Sequence, residues 1–412
     1  MCVIRGKGFI SGLDHRCFQF FPADSGDFPF DNIDLFIILL PVMHADILYQ
    51  VALTMVPNIG PVQAKLLLQH CEPEEIFHAK KTFLEKIEGI GPARAASIRS
   101  FNEFSKAEEE IKFIQQYNIK TLFLTDDDYP KRLLNCYDSP TLLYYKGSAD
   151  LNASKVVAII GSRTHTDYAR QVTEKMIHEF SAHPITIISG LAFGVDAIAH
   201  RSAIKNNLPT VGVLAHGLDQ VYPPAHTALA KEMIKNGGGI LTEFRSYTTP
   251  DKHNFPTRNR IVAGMSDATI VIETGVKGGS MITAELANGY NKDVFAVPGK
   301  ITDMKSAGCN HLIKSNKAVL FSDTGELLEL MGWVPVANRQ STVGSRSQRE
   351  LFIELSKEEK IIVEILKAKE TVHIDDINLE SGLSSSAVAA AILSLELQNV
   401  MVSLPGKLYR LA

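Results

Sequence analysis

From Val156 to Val297 short apolar runs alternate with polar, glycine-bearing stretches in one repeating order. Val156–Ile160, Ile185–Ile188, Thr210–Leu214, Ile240–Glu243, Thr269–Glu273 and Val294–Val297 read as strands, each followed by a loop or a helix. One helix is expected from about Asp167 and another ending near His200. β-Branched runs that are continuous rather than alternating imply a parallel sheet buried on both faces. The expected fold class is therefore α/β, with a Rossmann-like, doubly wound, mostly parallel sheet. In such sheets ligands bind at the carboxyl ends of the strands.

The periodicity changes on either side of this core. Helical spacing runs from about Asp46 to Tyr117, which predicts an all-α domain over residues 45–118. The turn-rich tract Thr125-Asp126-Asp127-Asp128-Tyr129-Pro130 then leads into the core, taken as 119–335. Within the helical part, Pro57-Asn58-Ile59-Gly60-Pro61 and Glu88-Gly89-Ile90-Gly91-Pro92 share a glycine turn feeding an apolar helix, the helix-hairpin-helix (SAM-like) pattern. Such turns can offer backbone N–H groups to DNA phosphate without reading sequence. A compact packing module accounts for them equally well, because the first turn lacks one of the usual glycines.

Residues 336–354 are polar and read as a linker, and 355–412 as a separate module. There Ser356 and Glu359 have the spacing of a capping box. Further helices are expected near Ile374–Leu379 and from Ser384 to about Gln398. A hairpin of Val400–Leu404 and Leu408–Leu411 around Pro405-Gly406 completes a C-terminal winged helix. Residues 1–44 have no sustained period and read as a weakly ordered extension, of the kind an upstream start codon adds before Met43.

Composition narrows the classes. A chain of 412 residues should hold two or three domains. Its formal net charge of −4 means that any contact with nucleic acid comes from a local patch, not a global field. Five cysteines lie far apart with no CxxC pair, which argues against zinc or disulfides and fits a reducing cytoplasm. The apolar run Leu35–Met43 is about half a membrane span, contains Pro41 and follows Asp31 and Asp34, so neither a span nor a signal peptide is expected.

Candidate chemistry sits in the loops of the core. Gly161-Ser162-Arg163 follows a strand and precedes a helix, where backbone donors and a guanidinium can hold phosphate. The loop from Ser189 and Gly190 to Asp196 lies beside it in a parallel sheet, and Gly278-Gly279-Ser280 supplies a third such turn. Three turns at one sheet edge favour a groove lined by donors over coincidental tight turns. Lys252-His253-Asn254-Phe255-Pro256-Thr257-Arg258-Asn259-Arg260 then offers three cations within nine residues, opposed only by Asp251. Phe255 can stack on a base of any sequence. In the competing reading Phe255 and Ile261 are core and the cations form a solvated helix start. Asp196 and His200, four apart on a helix, suit a metal pair but read better as a salt-linked or capping pair. No catalytic constellation stands out, and no cofactor or metal is called for. The tail holds six Lys/Arg against eight Asp/Glu over 356–412, and its third helix starts without a basic residue, so protein contact is favoured there over DNA reading.

These blocks together resemble the DNA-processing protein A (DprA, or Smf) family. The resemblance is carried by Ile159-Ile160-Gly161-Ser162-Arg163, Ser189-Gly190-Leu191-Ala192-Phe193-Gly194-Val195-Asp196, Gly217-Leu218-Asp219 with Tyr222-Pro223, and Phe255 to Gly264. Gly279-Ser280-Met281-Ile282-Thr283, Val297-Pro298-Gly299 and Gly308-Cys309-Asn310 follow in order. The resemblance spans about residues 110–330 and extends to both flanks. It implies a cytoplasmic, dimeric, non-enzymatic protein that binds single-stranded DNA, protects it and loads RecA on it during natural transformation. It also implies DNA contacts at Arg163, Lys252 and Phe255. Pro224 and His226 depart from the family pattern, which puts any contact at that position in doubt. The alternative is an enzyme. Gly278-Gly279-Ser280-Met281-Ile282-Thr283-Ala284-Glu285 resembles the signature of lysine-decarboxylase-like nucleotide phosphoribohydrolases, in which Glu285 and an arginine would act on a nucleoside monophosphate.

Overall fold

Continuous apolar strands do form a buried parallel sheet. The computed structural model describes residues 46–334, 355–369, 371–398, 400–404 and 408–411. Expectations for residues 1–44, for the 336–354 linker and for the Pro405-Gly406 turn lie outside the described residues. The chain divides into two compact units, 1–336 and 337–412.

In the first unit, helices α1 (residues 46–53), α2 (Pro61–Leu68), α3 (Pro73–His78), α4 (Lys81–Leu84), α5 (Gly91–Arg99) and α6 (Phe104–Gln116) come first. Then follow β1 (Lys120–Phe123), α7 (Lys131–Leu134) and β2 (Leu142–Gly147). The doubly wound part runs β3 (Val156–Ile160), α8 (Asp167–Phe180), β4 (Thr186–Ser189), α9 (Val195–Lys205), β5 (Thr210–Val213), α10 (Thr227–Lys235) and β6 (Gly239–Thr242). It continues through α11 (Asn254–Met265), β7 (Ala268–Val271), α12 (Gly279–Gly289), β8 (Asp293–Ala296), α13 (Ala307–Lys314), β9 (Val319–Leu320) and α14 (Thr324–Leu330).

The nine strands lie in the order β1-β2-β6-β5-β4-β3-β7-β8-β9. All pairs from β6 to β9 are parallel, while β2 is antiparallel to β6 and β1 to β2. Alternation along β3 explains the apolar run. Val156, Ala158 and Ile160 enter the core on one face, and Val157 and Ile159 enter the core on the other. Each such side chain taken fully out of water stabilises the fold by ~1.5–3 kcal/mol. Thr166 starts α8 where the sequence places it, its hydroxyl accepting from the Ala169 amide at 3.1 Å.

Sequence periodicity did not anticipate β1, β2 or β9. The first two also carry the helical part: Phe123, Leu142 and Tyr144 share a core with Leu53, Leu67, Ile76 and Ile98. In the helix-hairpin-helix turns, Asn58 adopts φ +66°, the left-handed conformation glycine usually supplies, and Gly89 and Gly91 adopt +83° and +63°. Arg94 ties the turns together, donating to the carbonyls of Asn58 (3.2 Å) and Gly89 (2.9 Å).

The second unit has the winged-helix order α15 (Lys357–Ala368), β10 (Val372–His373), α16 (Ile374–Ser381), α17 (Ser385–Leu397), β11 (Met401–Leu404) and β12 (Leu408–Leu411). Ser356 and Glu359 close the expected capping box, and Ser384 caps α17 by accepting from the Ala387 amide. Ile362, Leu366, Ile377, Val388 and Leu395 form a core of its own.

Candidate nucleic-acid interface

The order of the strands locates the site. From β3 the chain steps through β4 and β5 to β6 on one side, then returns to place β7 on the other side of β3. At such a switch point the loops diverge and leave a crevice beyond the carboxyl ends of the strands. A cleft of about 280 Å³ opens there, lined by Gly161, Ser162, Arg163, Gly190, Phe255, Arg258, Asn259, Gly279 and Ser280. A shallower neighbour of about 470 Å³ shares Arg163 and Phe255 and adds Lys252, Pro250 and Tyr222. The structure thus brings together all but two of the expected contact residues. Ser189 and Arg260 are the exceptions.

The three glycine-rich turns are not equivalent, which corrects the picture of three similar donor loops. In the first, the Ser162 amide donates to the Glu273 carbonyl at 2.7 Å, and the Thr164 amide to the Ser162 hydroxyl at 3.2 Å. Gly161 is small because a Cβ there would lie 2.6 Å from Val195 Cγ2. What this loop offers a ligand is the exposed side chain of Arg163.

The second loop already engages a buried carboxyl group. Asp196, buried on α9, accepts from the Ala192 amide at 3.3 Å and from Gly190. Burial raises its pKa, opposed first by the charge of Arg258. Gly190 makes room for that arginine, since a Cβ would sit 2.7 Å from Arg258 Nη2.

The third turn is open. Gly278 precedes α12 without any side-chain cap, and Cβ atoms at Gly278 and Gly279 would meet nothing nearer than 3.7 and 3.8 Å. An uncapped helix start is where an anion gains both hydrogen bonds and the helix dipole.

The basic cluster also needs correction. It forms the start of α11, but of its three cations only Lys252 is exposed. Arg260 is buried in an ion pair with Glu243 and donates to the Asp138 carbonyl, so it has no free edge for phosphate. Arg258 is buried too, bridging the carbonyls of Gly190 and Val213, with Nε donating to Asn259 Oδ1 at 3.2 Å. Burial pulls its pKa down to about 10, against the pull of Asp196. It forms the floor of the cleft and fixes Asn259. Ser189 is fully buried, its hydroxyl donating to the Ile159 carbonyl at 2.6 Å, and does not reach the cleft.

Phe255 falls between the two sequence readings. Ile261 is core, as the second reading held, but Phe255 is half-buried and lines the cleft. The guanidinium carbons of Arg163 and Arg258 lie 5.3 and 6.0 Å from its ring centroid, and the Tyr222 ring 6.1 Å away. These cation–π contacts orient the ring. Lys277, exposed on the cleft wall, and Tyr222 were missed by the sequence reading. Lys277 had a legible signal, standing directly before the open glycine turn. Asp196 and His200 do not pair with each other. His200 Nδ1 bonds Thr210 Oγ1 at 2.7 Å, and burial drives its pKa down to about 3.

Residues 120–332 match the family model for DNA recombination-mediator protein A, more than half of the chain. The chain belongs to that family, known as DprA or Smf. Its flanks agree with this DprA/Smf membership: residues 51–101 match a SAM-like helix-hairpin-helix tandem and 351–407 the DprA winged helix domain. Protein Smf of Synechocystis sp. is 33% identical over 88% of this chain and 98% of its own length. The DNA processing protein DprA of Streptococcus pneumoniae is 40% identical over 50% of this chain and 72% of its own. The X-ray structure of DNA processing protein A from Streptococcus pneumoniae superposes with a TM-score of 0.57 at 31% identity, covering 68% of this chain and 95% of that one.

Proposed function

We propose that this DprA/Smf protein binds single-stranded DNA in the switch-point cleft and, as a cytoplasmic homodimer, protects the strand and loads RecA on it during natural transformation. One observation carries the DNA part. An open helix N-terminus, three exposed cations (Arg163, Lys252 and Lys277) and a half-buried phenyl ring line one continuous cleft. Phosphate meets the first two and an unstacked base meets the third, whereas a duplex keeps its bases out of reach of the ring. No helix among the described residues is long and apolar enough to cross a membrane, and Cys71, Cys136 and Cys309 are free thiols.

The phosphoribohydrolase reading loses support. Its required Glu285 is exposed on α12, does not line the cleft, and pairs with Lys317 at 3.2 Å. The test is a gel shift with single- and double-stranded DNA beside an assay for AMP hydrolysis. Single-strand binding without hydrolysis is expected. The double variant Arg163→Ala/Lys252→Ala should weaken binding across all sequences and flatten its salt dependence by about 0.7 in log–log slope per lost contact. An unchanged affinity and slope would remove these residues from the binding surface.

A further inference from the structure

On the far side of Arg163 the surface opens again. A second cleft of about 450 Å³ is lined by Arg163, His165, Phe193, Arg201 and His226, with no carboxylate among its lining residues. A small recess joins it to the first, its walls carrying Arg163, Phe193, Tyr222 and Phe255 together. The clefts are thus continuous, with Arg163 as the shared post.

Phe193 is the unexplained residue here. Its neighbour Leu191 is fully buried, yet Phe193 keeps 48% of its surface exposed. The ring is nevertheless held in place. The His226 ring packs against it edge-on at 4.9 Å, and buried His226 is itself anchored through Nδ1 to the Leu191 carbonyl at 2.9 Å. His226 therefore acts as a buttress. Arg201 on α9 is exposed and forms no ion pair or hydrogen bond among the described residues. The two clefts and the recess between them are lined by the cations Lys252, Lys277, Arg163 and Arg201 and by the rings of Phe255, Tyr222 and Phe193.

We infer that the bound single strand continues past Arg163 into this second cleft, where a further base stacks on Phe193 and its phosphate faces Arg201. The inference rests on the single-strand reading of the first cleft. Continuity through Arg163 and the absence of acidic lining favour more of the same polyanion over a protein ligand. Stacking on a fixed ring is tolerant of base identity, so the second cleft should add affinity without adding sequence preference.

The experiment measures affinity of the full-length protein for oligothymidylates lengthened one nucleotide at a time. Parent affinity should rise once when the first cleft fills and again when the strand passes Arg163. Phe193→Ala should match the parent on the shortest binding strands and fall roughly five- to hundredfold behind on longer ones. Phe193→Tyr should restore the second rise, and Arg201→Gln should lower the salt slope by about 0.7 on long strands only. With its melting temperature unchanged, a Phe193→Ala variant that binds long strands like the parent overturns the second cleft. So does one that loses equally on short and long strands. A parent that binds no single strand at all overturns the first-cleft reading with it.

Discussion

Phe255 presents a ring that two guanidinium groups and a tyrosine hold at the mouth of a cleft, with part of its surface left in water. Truncating it removes a stacking platform more than it opens a cavity. Phe255→Ala is expected to cost ~1–3 kcal/mol of single-strand affinity, with little change in melting temperature. Phe255→Tyr should bind normally, because a hydroxyl at the open rim finds water. A tyrosine variant melting well below the parent would put the ring in the core and leave Arg163 and Lys252 to hold DNA without it. At this scale the sequence told residue types but not sides. Gly161, Arg163, Lys252, Phe255 and Gly279 were legible as positions around the cleft because their spacing marks turns and a helix start. The burial of Arg258 and Arg260 was not legible, because nothing in their local pattern announces that Asp196 and Glu243, distant in sequence, wait for them in the interior.

Arg260 shows how α11 is fastened as an element. Its guanidinium reaches Glu243 just beyond β6 and the Asp138 carbonyl before β2, so one side chain clamps the helix to the carboxyl end of β6. Above about pH 7, where Glu243 is ionised, Arg260→Ala leaves a buried carboxylate unpaired and should destabilise the fold by ~3–5 kcal/mol. Its single-strand affinity, measured well below melting, should stay near the parent's. A folded variant with tenfold weaker binding would return Arg260 to the DNA surface. The same pair sets a pH dependence. Burial pushes Glu243 up to about 7 from an ordinary 4.5, with Arg260 pulling down and Asp138 pushing up. Between those values the folded chain holds a proton that the unfolded chain has released, so stability from this group falls as pH rises through that window. Glu243→Gln should flatten the fall in a series of denaturant midpoints, and an unaltered profile would show that Glu243 does not titrate there. Elements were legible where βαβ alternation repeats, which is why β3 to β8 were found within a residue or two. The edge strand β1 and its neighbour β2 were not. They are added antiparallel across a turn-rich tract, and no repeat leads into them.

For the whole molecule, the question is what the winged helix contributes. It packs a core of its own. Its third helix, α17, shows Ser385, Ser386, Ala389, Ala390 and Leu393 to solvent, a face with no cation to meet phosphate. The module as a whole carries six Lys/Arg against eight Asp/Glu over 356–412. A net-acidic module near a polyanion repels it weakly at low salt and hardly at all once the Debye length shortens to about 8 Å at physiological ionic strength. Deleting 356–412 should therefore leave single-strand affinity within a few-fold of the full chain. Any difference should favour the truncated protein at low salt and vanish as salt rises. The measurement is a titration of both proteins across a salt series, with melting and oligomeric state checked for each. A hundredfold loss on truncation, about 2.7 kcal/mol, from a protein that remains folded, would mean that α17 or the hairpin touches DNA despite its charge. In that event backbone N–H groups at the α17 start, capped only by Ser384, would be the contacts to test next.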